Sequence, residues 1–307
     1  MESNPIQLKS LIYTVLFALV IVTFVILKPI LWSETYLVVC DVGQGDAVYI
    51  HQSDGVDILI DAGPDDSVLE CLGKSMTFTD RHIDMVFISH PHFDHYGGLA
   101  SVLDHYAVET VYMSAAVTKS TSLTKLLTRI RSESQLSIVS SGTQVSVGDD
   151  GSMSILWPDQ KYIQRNSTRK SDDADFRMTT RNPNDFSLVQ LYTYGMANVL
   201  FTGDIPKEIL LPIAESLRSF TIDILKVSHH GSITGLSEEL LRLLQPHKAV
   251  ISVAQKNRYK HPSTEVIDML RAQNIPTWLT SESGTHTFTY KDGTWVPRYS
   301  CFLFFSC

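Results

Sequence analysis

Apolar residues along this chain fall into short runs closed by Gly, Asp, Asn and Ser, a pattern that predicts buried strands ending in tight polar turns. Tyr36-Leu37-Val38-Val39-Cys40 is one such strand. The glycines of Asp41-Val-Gly-Gln-Gly-Asp-Ala47 turn the chain into a second, Val48-Tyr49-Ile50. Ile58-Leu59-Ile60 and Met85-Val86-Phe87-Ile88 follow, with a short helix expected between them over Asp66 to Leu72. A helix is then expected from Leu99 to Tyr106, a strand from Val108 to Met113, and a helix from Ser120 to Glu133 with Leu123, Leu126, Leu127 and Ile130 on one face. Short strands around Ile138, Val145 and Ile155 precede a stretch, Pro158 to Pro183, where the apolar pattern stops and a loop is predicted. Strands resume at Leu188–Tyr192 and Asn198–Phe201; a helix over Lys207–Leu217 separates them from a run ending in Leu225-Lys226-Val227. Strands alternating with helices predict an α/β fold.

One run is of another kind. Leu11 through Leu27 is apolar or nearly so, flanked by Lys9 and Lys28 and prolonged by Pro29-Ile30-Leu31-Trp32. That length just spans a bilayer, and no A-x-A-like cleavage site follows it. Residues 1–33 are therefore expected to be an uncleaved anchor holding the chain to the membrane through residues 11–32, and 34–307 the globular domain. A buried core helix would show an amphipathic face, and none is visible. One lysine at each end leaves the orientation open.

At 307 residues the chain holds one sizeable domain plus this extension. A net charge of −8 excludes a whole-surface attraction for nucleic acid but not a local basic cleft. The 158–183 stretch is locally basic, with Lys161, Arg165, Arg169, Lys170, Arg177 and Arg181 against Asp172, Asp173 and Asp175. It reads as a solvated loop or as a phosphate-facing flap. The four cysteines, Cys40, Cys71, Cys301 and Cys307, lack C-x-x-C spacing and are expected to be free thiols. A Cys301–Cys307 pair is the alternative if the domain lies outside the cytosol.

Chemistry concentrates in His90-Pro91-His92-Phe93-Asp94-His95, directly after a predicted strand. Imidazole nitrogens and carboxylate oxygens bind Zn²⁺ and similar ions at about 2.0–2.2 Å, and this spacing aims four ligands at one region. His90 and His92 can share one cation, and Asp94 and His95 can reach a second. Other strand ends add polar residues: Asp61, which either supports the metal site from behind or caps a turn, then Asp204 in Thr202-Gly-Asp204, and the pair His229-His230.

The cluster resembles the metal-binding signature of the metallo-β-lactamase fold superfamily. Taken with Asp41–Ala47, Asn184-Asp-Phe-Ser187, Thr202–Asp204, Leu225-Lys-Val-Ser-His-His-Gly-Ser232 and Asn257-Arg-Tyr-Lys-His-Pro262, it resembles the ComEC-type branch, which includes the C-terminal domain of the ComEC DNA-uptake channel. The resemblance covers Tyr36 to Tyr290. It implies an αβ/βα sandwich of two mixed sheets with outer helices and a metal site along one edge. It also implies two divalent cations, Zn²⁺ or Mn²⁺, held by His90, His92, Asp94, His95, a bridging Asp204 and one of His229 and His230, with His230 preferred. Asp94 would orient the attacking water and His229 would act as general acid. Asn184, Ser187, Lys226, Ser232 and His261 are candidates for holding an anionic substrate.

Two departures stand out. Asn184 and Ser187 occupy the place where many hydrolases of the superfamily have a histidine. Lys260 stands where the branch usually has glycine and would add positive charge near a substrate phosphate. One apolar segment cannot form a multi-helix pore, so DNA transport by this chain alone is not expected. The function expected is a membrane-anchored metal-dependent phosphodiesterase acting on DNA, with its catalytic domain outside the cytoplasmic membrane and DNA-uptake channel proteins as possible partners. The alternatives are a hydrolase of a phosphocholine-type ester or lactone, and a non-catalytic DNA- or channel-binding module.

Overall fold

A computed structural model describes residues 5–31, 34–168 and 174–298. Two mixed sheets pack face to face. The first has eight strands in the order Thr294–Arg298, His286–Lys291, Tyr36–Val39, Val48–His51, Asp57–Ile60, His82–Ile88, Ala107–Met113 and Gln135–Ile138. The second has seven, in the order Thr277–Leu279, Ala249–Ile251, Ile224–Lys226, Ala197–Phe201, Val189–Tyr194, Gly151–Trp157 and Gln144–Val147. In each sheet, antiparallel hairpins give way to parallel strands joined by helical crossovers.

Side-chain alternation assembles the layers. Leu37 and Val39 point between the sheets with Ile58, Phe87, Tyr192, Val199 and Trp295. Val38 and Cys40 point the other way, under helices Ser67–Ser75, Leu99–His105 and Thr121–Glu133. The outer face of the second sheet is covered by Lys207–Ser216, Glu238–Leu244 and Thr264–Ala272. Helix starts follow capping chemistry: the Ser120, Ser237 and Ser263 side chains accept hydrogen bonds from the backbone of Leu123, Leu240 and Val266. The αβ/βα sandwich is the one the motifs implied.

Three expectations are corrected or left open. Cys40 and Cys71 form a disulfide, with Cα atoms 5.7 Å apart; they were expected to be free thiols, because their separation of 31 residues gives no local signal. Cys301 and Cys307 lie outside the described residues. The 158–183 stretch is not a plain loop: it holds a helix, Gln160–Arg165, and strands Ser167–Thr168 and Arg177–Thr179 that form a small sheet with Ala116–Val117. Arg169 and Lys170 lie outside the described residues, as do Asp172 and Asp173. The expected anchor is a helix over Pro5–Leu31 whose described side chains, Lys9 and residues 11–23, are exposed. Among the described residues no helix is long and apolar enough to cross a membrane.

Candidate metal centre

Strands Asp57–Ile60 and His82–Ile88 run parallel, so their C-terminal ends deliver Asp61 and Ser89 side by side. Asp61 sits at φ 57°, a left-handed conformation costly for a non-glycine residue, and its carboxylate explains the arrangement. It accepts from the Ser89 amide at 2.7 Å, the Ser89 hydroxyl at 2.7 Å and His95 Nδ1 at 2.8 Å. Nδ1 being bonded, His95 has only Nε2 to offer at the front. Asp61 thus supports the site from behind rather than capping a turn.

The second sheet contributes in the same way. Ala197–Phe201 and Ile224–Lys226 are parallel and end in Asp204 and in the His229-His230 turn. Gly203, at φ 49°, lets the chain pass between the two sheets: a Cβ there would meet the Ser187 and Ser89 Cβ atoms at 3.0 and 3.1 Å. The Ser187 hydroxyl accepts from the Asp204 amide at 3.1 Å. His229 and His230 both adopt φ 53°, so two successive residues are strained in the turn that aims them at Asp204.

Asp204 is the meeting point. Its Oδ1 lies 3.5 Å from His95 Nε2, and its Oδ2 lies 3.8, 3.9 and 3.7 Å from the Nε2 atoms of His90, His229 and His230. Asp94 Oδ2 is 3.5 Å from His230 Nε2. Two overlapping groups, His90–His95–Asp204 and Asp94–His95–His230, each keep their ligand atoms within 4.8 Å of one another. His90 Nε2, His95 Nε2, His230 Nε2 and Asp204 Oδ1 are all buried without a hydrogen-bond partner. Buried polar atoms left unpaired cost about 1–3 kcal/mol each, and four of them around one spot are what a divalent cation satisfies. The donor set of imidazoles and carboxylates fits Zn²⁺ or Mn²⁺.

Charges follow the geometry. Burial disfavours the charged ring of His95, but Asp204 and Asp61 outweigh it and hold the ring well above the usual imidazole range. His230, also opposed by burial, is lifted to about 10 by Asp204 and Asp46. Burial, with His95 beside it, pushes His90 well below the ordinary value. Against their own burial, Asp204 is held well below the usual carboxylate range by His230 and His95, and Asp94 at about 2 by His230 and His95.

Of the other sequence candidates, His92 lies beside His90, ring centroids 4.7 Å apart, and is half-buried. His229 is the half-buried member of its pair and His230 the buried one. His261 packs 5.7 Å from His229. Asn184 is buried in the short helix Pro183–Phe186 with its amide oxygen unpaired, and Ser232 is buried against Thr234. Ser187, expected to touch substrate, instead holds Asp204.

Lys226 is a correction. It lies on an interior strand, 3% exposed, and its ammonium donates to Asp46 Oδ2 at 2.8 Å. A cation so enclosed does not reach a substrate phosphate. Asp46 is the residue that sequence reasoning missed: its Oδ1 faces His230 Nδ1 at 3.4 Å, beside the Ser252 carbonyl, which accepts from the same nitrogen at 3.1 Å. Its signal was the lone acid closing the Gly43-Gln44-Gly45 turn.

Comparison with known proteins agrees with this geometry. The model of the metallo-beta-lactamase superfamily matches residues 40–255. ComE operon protein 3 of Bacillus subtilis is 27% identical over 283 residues, covering 86% of this chain and 34% of that protein. Recombination protein 2 of Haemophilus influenzae is 36% identical over 107 residues, 35% of this chain and 13% of that protein. The chain therefore spans about a third or less of these relatives. Among solved structures, the metallo-beta-lactamase fold protein YhfI of Bacillus subtilis superposes with a TM-score of 0.52 at 10% identity, covering 83% of this chain and 100% of that one, a likeness of fold alone.

Proposed function

The chain belongs to the metallo-β-lactamase superfamily of hydrolases, in its ComEC-type branch, and from that premise we propose a membrane-anchored phosphodiesterase that cleaves DNA with two divalent cations outside the cytoplasmic membrane. The observation that carries the reading is the convergence of unpaired, buried His90, His95, His230 and Asp204 atoms on one point between the sheet ends. The DNA-uptake relationship of the branch supports the substrate. The Cys40–Cys71 disulfide, a bond that persists in oxidising compartments, supports the location, and the apolar run 11–27 supports the anchor.

In this reading His90, His92, Asp94, His95, Asp204 and His230 would hold the cations. When bound, such ions bring a water toward neutral pKa and neutralise charge developing on a phosphoryl oxygen. The remaining work falls to the chain. Asp94, an anion down to about pH 2 and only half-buried, accepts a hydrogen bond from the attacking water and fixes its direction. His229, half-buried at the mouth with Nδ1 3.1 Å from the Thr234 hydroxyl, presents Nε2 to the leaving oxygen and donates the proton it requires. Asp61 and Asp46 hold the ligand rings in their tautomers.

The test uses the full chain in detergent, stripped with chelator, reloaded with Mn²⁺ or Zn²⁺ and given end-labelled DNA. Cleavage is expected only with metal, and is expected to vanish in Asp94→Ala and Asp204→Ala proteins. Metal-dependent hydrolysis of bis(p-nitrophenyl) phosphate without DNA cleavage would move the substrate to another ester. A folded, metal-loaded protein that hydrolyses neither overturns the proposal.

A further inference from the structure

The flank of the site beyond His229 is formed by residues 254–262, a segment with a construction of its own. Asn257 closes it on itself, its Oδ1 accepting from the His261 amide at 2.9 Å and its Nδ2 donating to the carbonyls of His261 at 2.7 Å and Ala254 at 3.1 Å. The segment is also seated on the metal-site turn: the Ser263 amide donates to the Gly231 carbonyl at 3.0 Å, and a Cβ on Gly231 would meet Pro262 at 2.6 Å. Its outer side is therefore held at a fixed place relative to His229.

That outer side carries an unusual set of groups. Lys256, Arg258, Tyr259 and Lys260 are all exposed, and no Asp or Glu occurs from 254 to 264, within a chain of net charge −8. Tyr259 is 51% exposed although it is a large apolar ring. It lies nearly parallel to His261, at 14° and 5.8 Å between centroids, and His261 is 5.7 Å from His229. The Arg258 guanidinium covers the ring at 4.8 Å and donates to its hydroxyl at 2.6 Å. Lys260 occupies φ 58°, where glycine is favoured, so its ammonium stands on a turn that a glycine would make without strain. Behind the lip opens a recess of about 660 Å³ lined by Gln255, His261, Arg271 and Asn274.

We propose that this lip is a binding platform for single-stranded nucleic acid, an unpaired base stacking on Tyr259 and the Arg258 guanidinium laid over it, two rings from the metal centre, while Lys256 and Lys260 contact the phosphates on either side. An aromatic face with cations beside it binds splayed bases of any sequence. A duplex keeps its bases stacked on one another and offers Tyr259 nothing. The inference rests on the phosphodiester reading of the site and narrows its substrate to single strands.

The experiment is fluorescence anisotropy of the full chain in detergent, metal-free in chelator, with a labelled oligonucleotide as a single strand and as a duplex, across a salt series. Tighter binding of the single strand is expected, with about a tenfold loss in Tyr259→Ala and retention in Tyr259→Trp. Lys260→Gly is expected to lower the slope of log affinity against log salt by about 0.7 for the single strand. Equal binding of duplex, or a Tyr259→Ala affinity within twofold of the parent, overturns the platform. Because binding is read without metal, single-strand binding with no cleavage after reloading overturns the nuclease reading and leaves the platform standing. Cleavage with an indifferent Tyr259→Ala does the reverse.

Discussion

Replacing Lys226 with methionine removes the cation and keeps most of the hydrophobic stem. Lys226 and Asp46 are 3% and 5% exposed at the side chain and 2.8 Å apart, so neither reaches bulk water. With the ammonium gone, Asp46 keeps only the neighbouring His230 and His95 rings to balance its charge; Lys226 is the foremost of the groups that hold it, against its own burial, well below the usual carboxylate range. Breaking one partner of such a pair costs about 3–5 kcal/mol, whereas replacing both by neutral groups is often close to neutral. Urea unfolding of the metal-free protein is thus expected to show a loss of that size for Lys226→Met and recovery of most of it in Lys226→Met/Asp46→Leu. The double variant also frees His230 Nδ1 from its carboxylate, so it should regain stability and still bind Mn²⁺ about 10- to 100-fold more weakly by titration calorimetry. A Lys226→Met protein within 1 kcal/mol of the parent, or a double variant that binds metal normally, would refute the assignment of the pair as a support for His230.

Metal loading at pH 7 is expected to release protons, because His95 and His230 are held above the usual imidazole range and must shed a proton to coordinate; calorimetry in two buffers of different ionisation heat reads the number, and a value of zero contradicts the geometry. For the metal-free protein the signs run in opposite directions. The raised imidazoles stabilise the fold fully below about pH 6.5 and lose that contribution as pH rises, His230 as it nears about 10, while Asp94 and Asp204 contribute above about pH 4 and lose it as pH falls, Asp94 as it nears about 2. These four groups place a stability maximum between about pH 4 and 6.5 in a thermal melt series, and a maximum above pH 8 counts against them. Reduction of the disulfide, or Cys71→Ser with Cys40→Ser, is expected to lower unfolding stability by about 2–5 kcal/mol with metal affinity little changed, measured by urea titration. Gly203→Ala, forced into a left-handed conformation against Ser187 and Ser89, is expected to weaken Mn²⁺ binding by displacing Asp204; unchanged affinity refutes that close approach.

How much of this was legible depended on whether a signal was local. His90, Asp94 and His95 of the cluster, the strand ends carrying Asp61 and Asp204, and the helix over Ser120–Glu133 are each written within a few residues, by spacing or by period, and the structure brings them where those signals point, while His92 stands outside the groups whose ligand atoms converge. The disulfide and the Lys226–Asp46 pair are not. They join positions 31 and 180 residues apart, and only the packed sandwich decides that Cys40 turns outward under the helix of Cys71 while Lys226 turns inward. Lys226 misled because a lysine on a three-residue strand reads as solvated, when the strand in fact sits between two parallel neighbours.

The same distinction explains why the site is built on the weaker signals. Each ligand offered by a local motif must be turned to a common point by something behind it, and that support comes from a different segment of the chain: Asp61 behind His95, Ser187 behind Asp204, Asp46 with Lys226 and the Ser252 carbonyl behind His230. Backbone strain gathers at these same places, at Asp61, His229 and His230, where the conformation is tolerated because the surrounding bonds fix it. A strained turn holding a buried imidazole against a carboxylate keeps its geometry before any cation arrives. The fold thus holds the ligands in place at its own expense, and cation binding recovers what the unpaired nitrogens and oxygens cost.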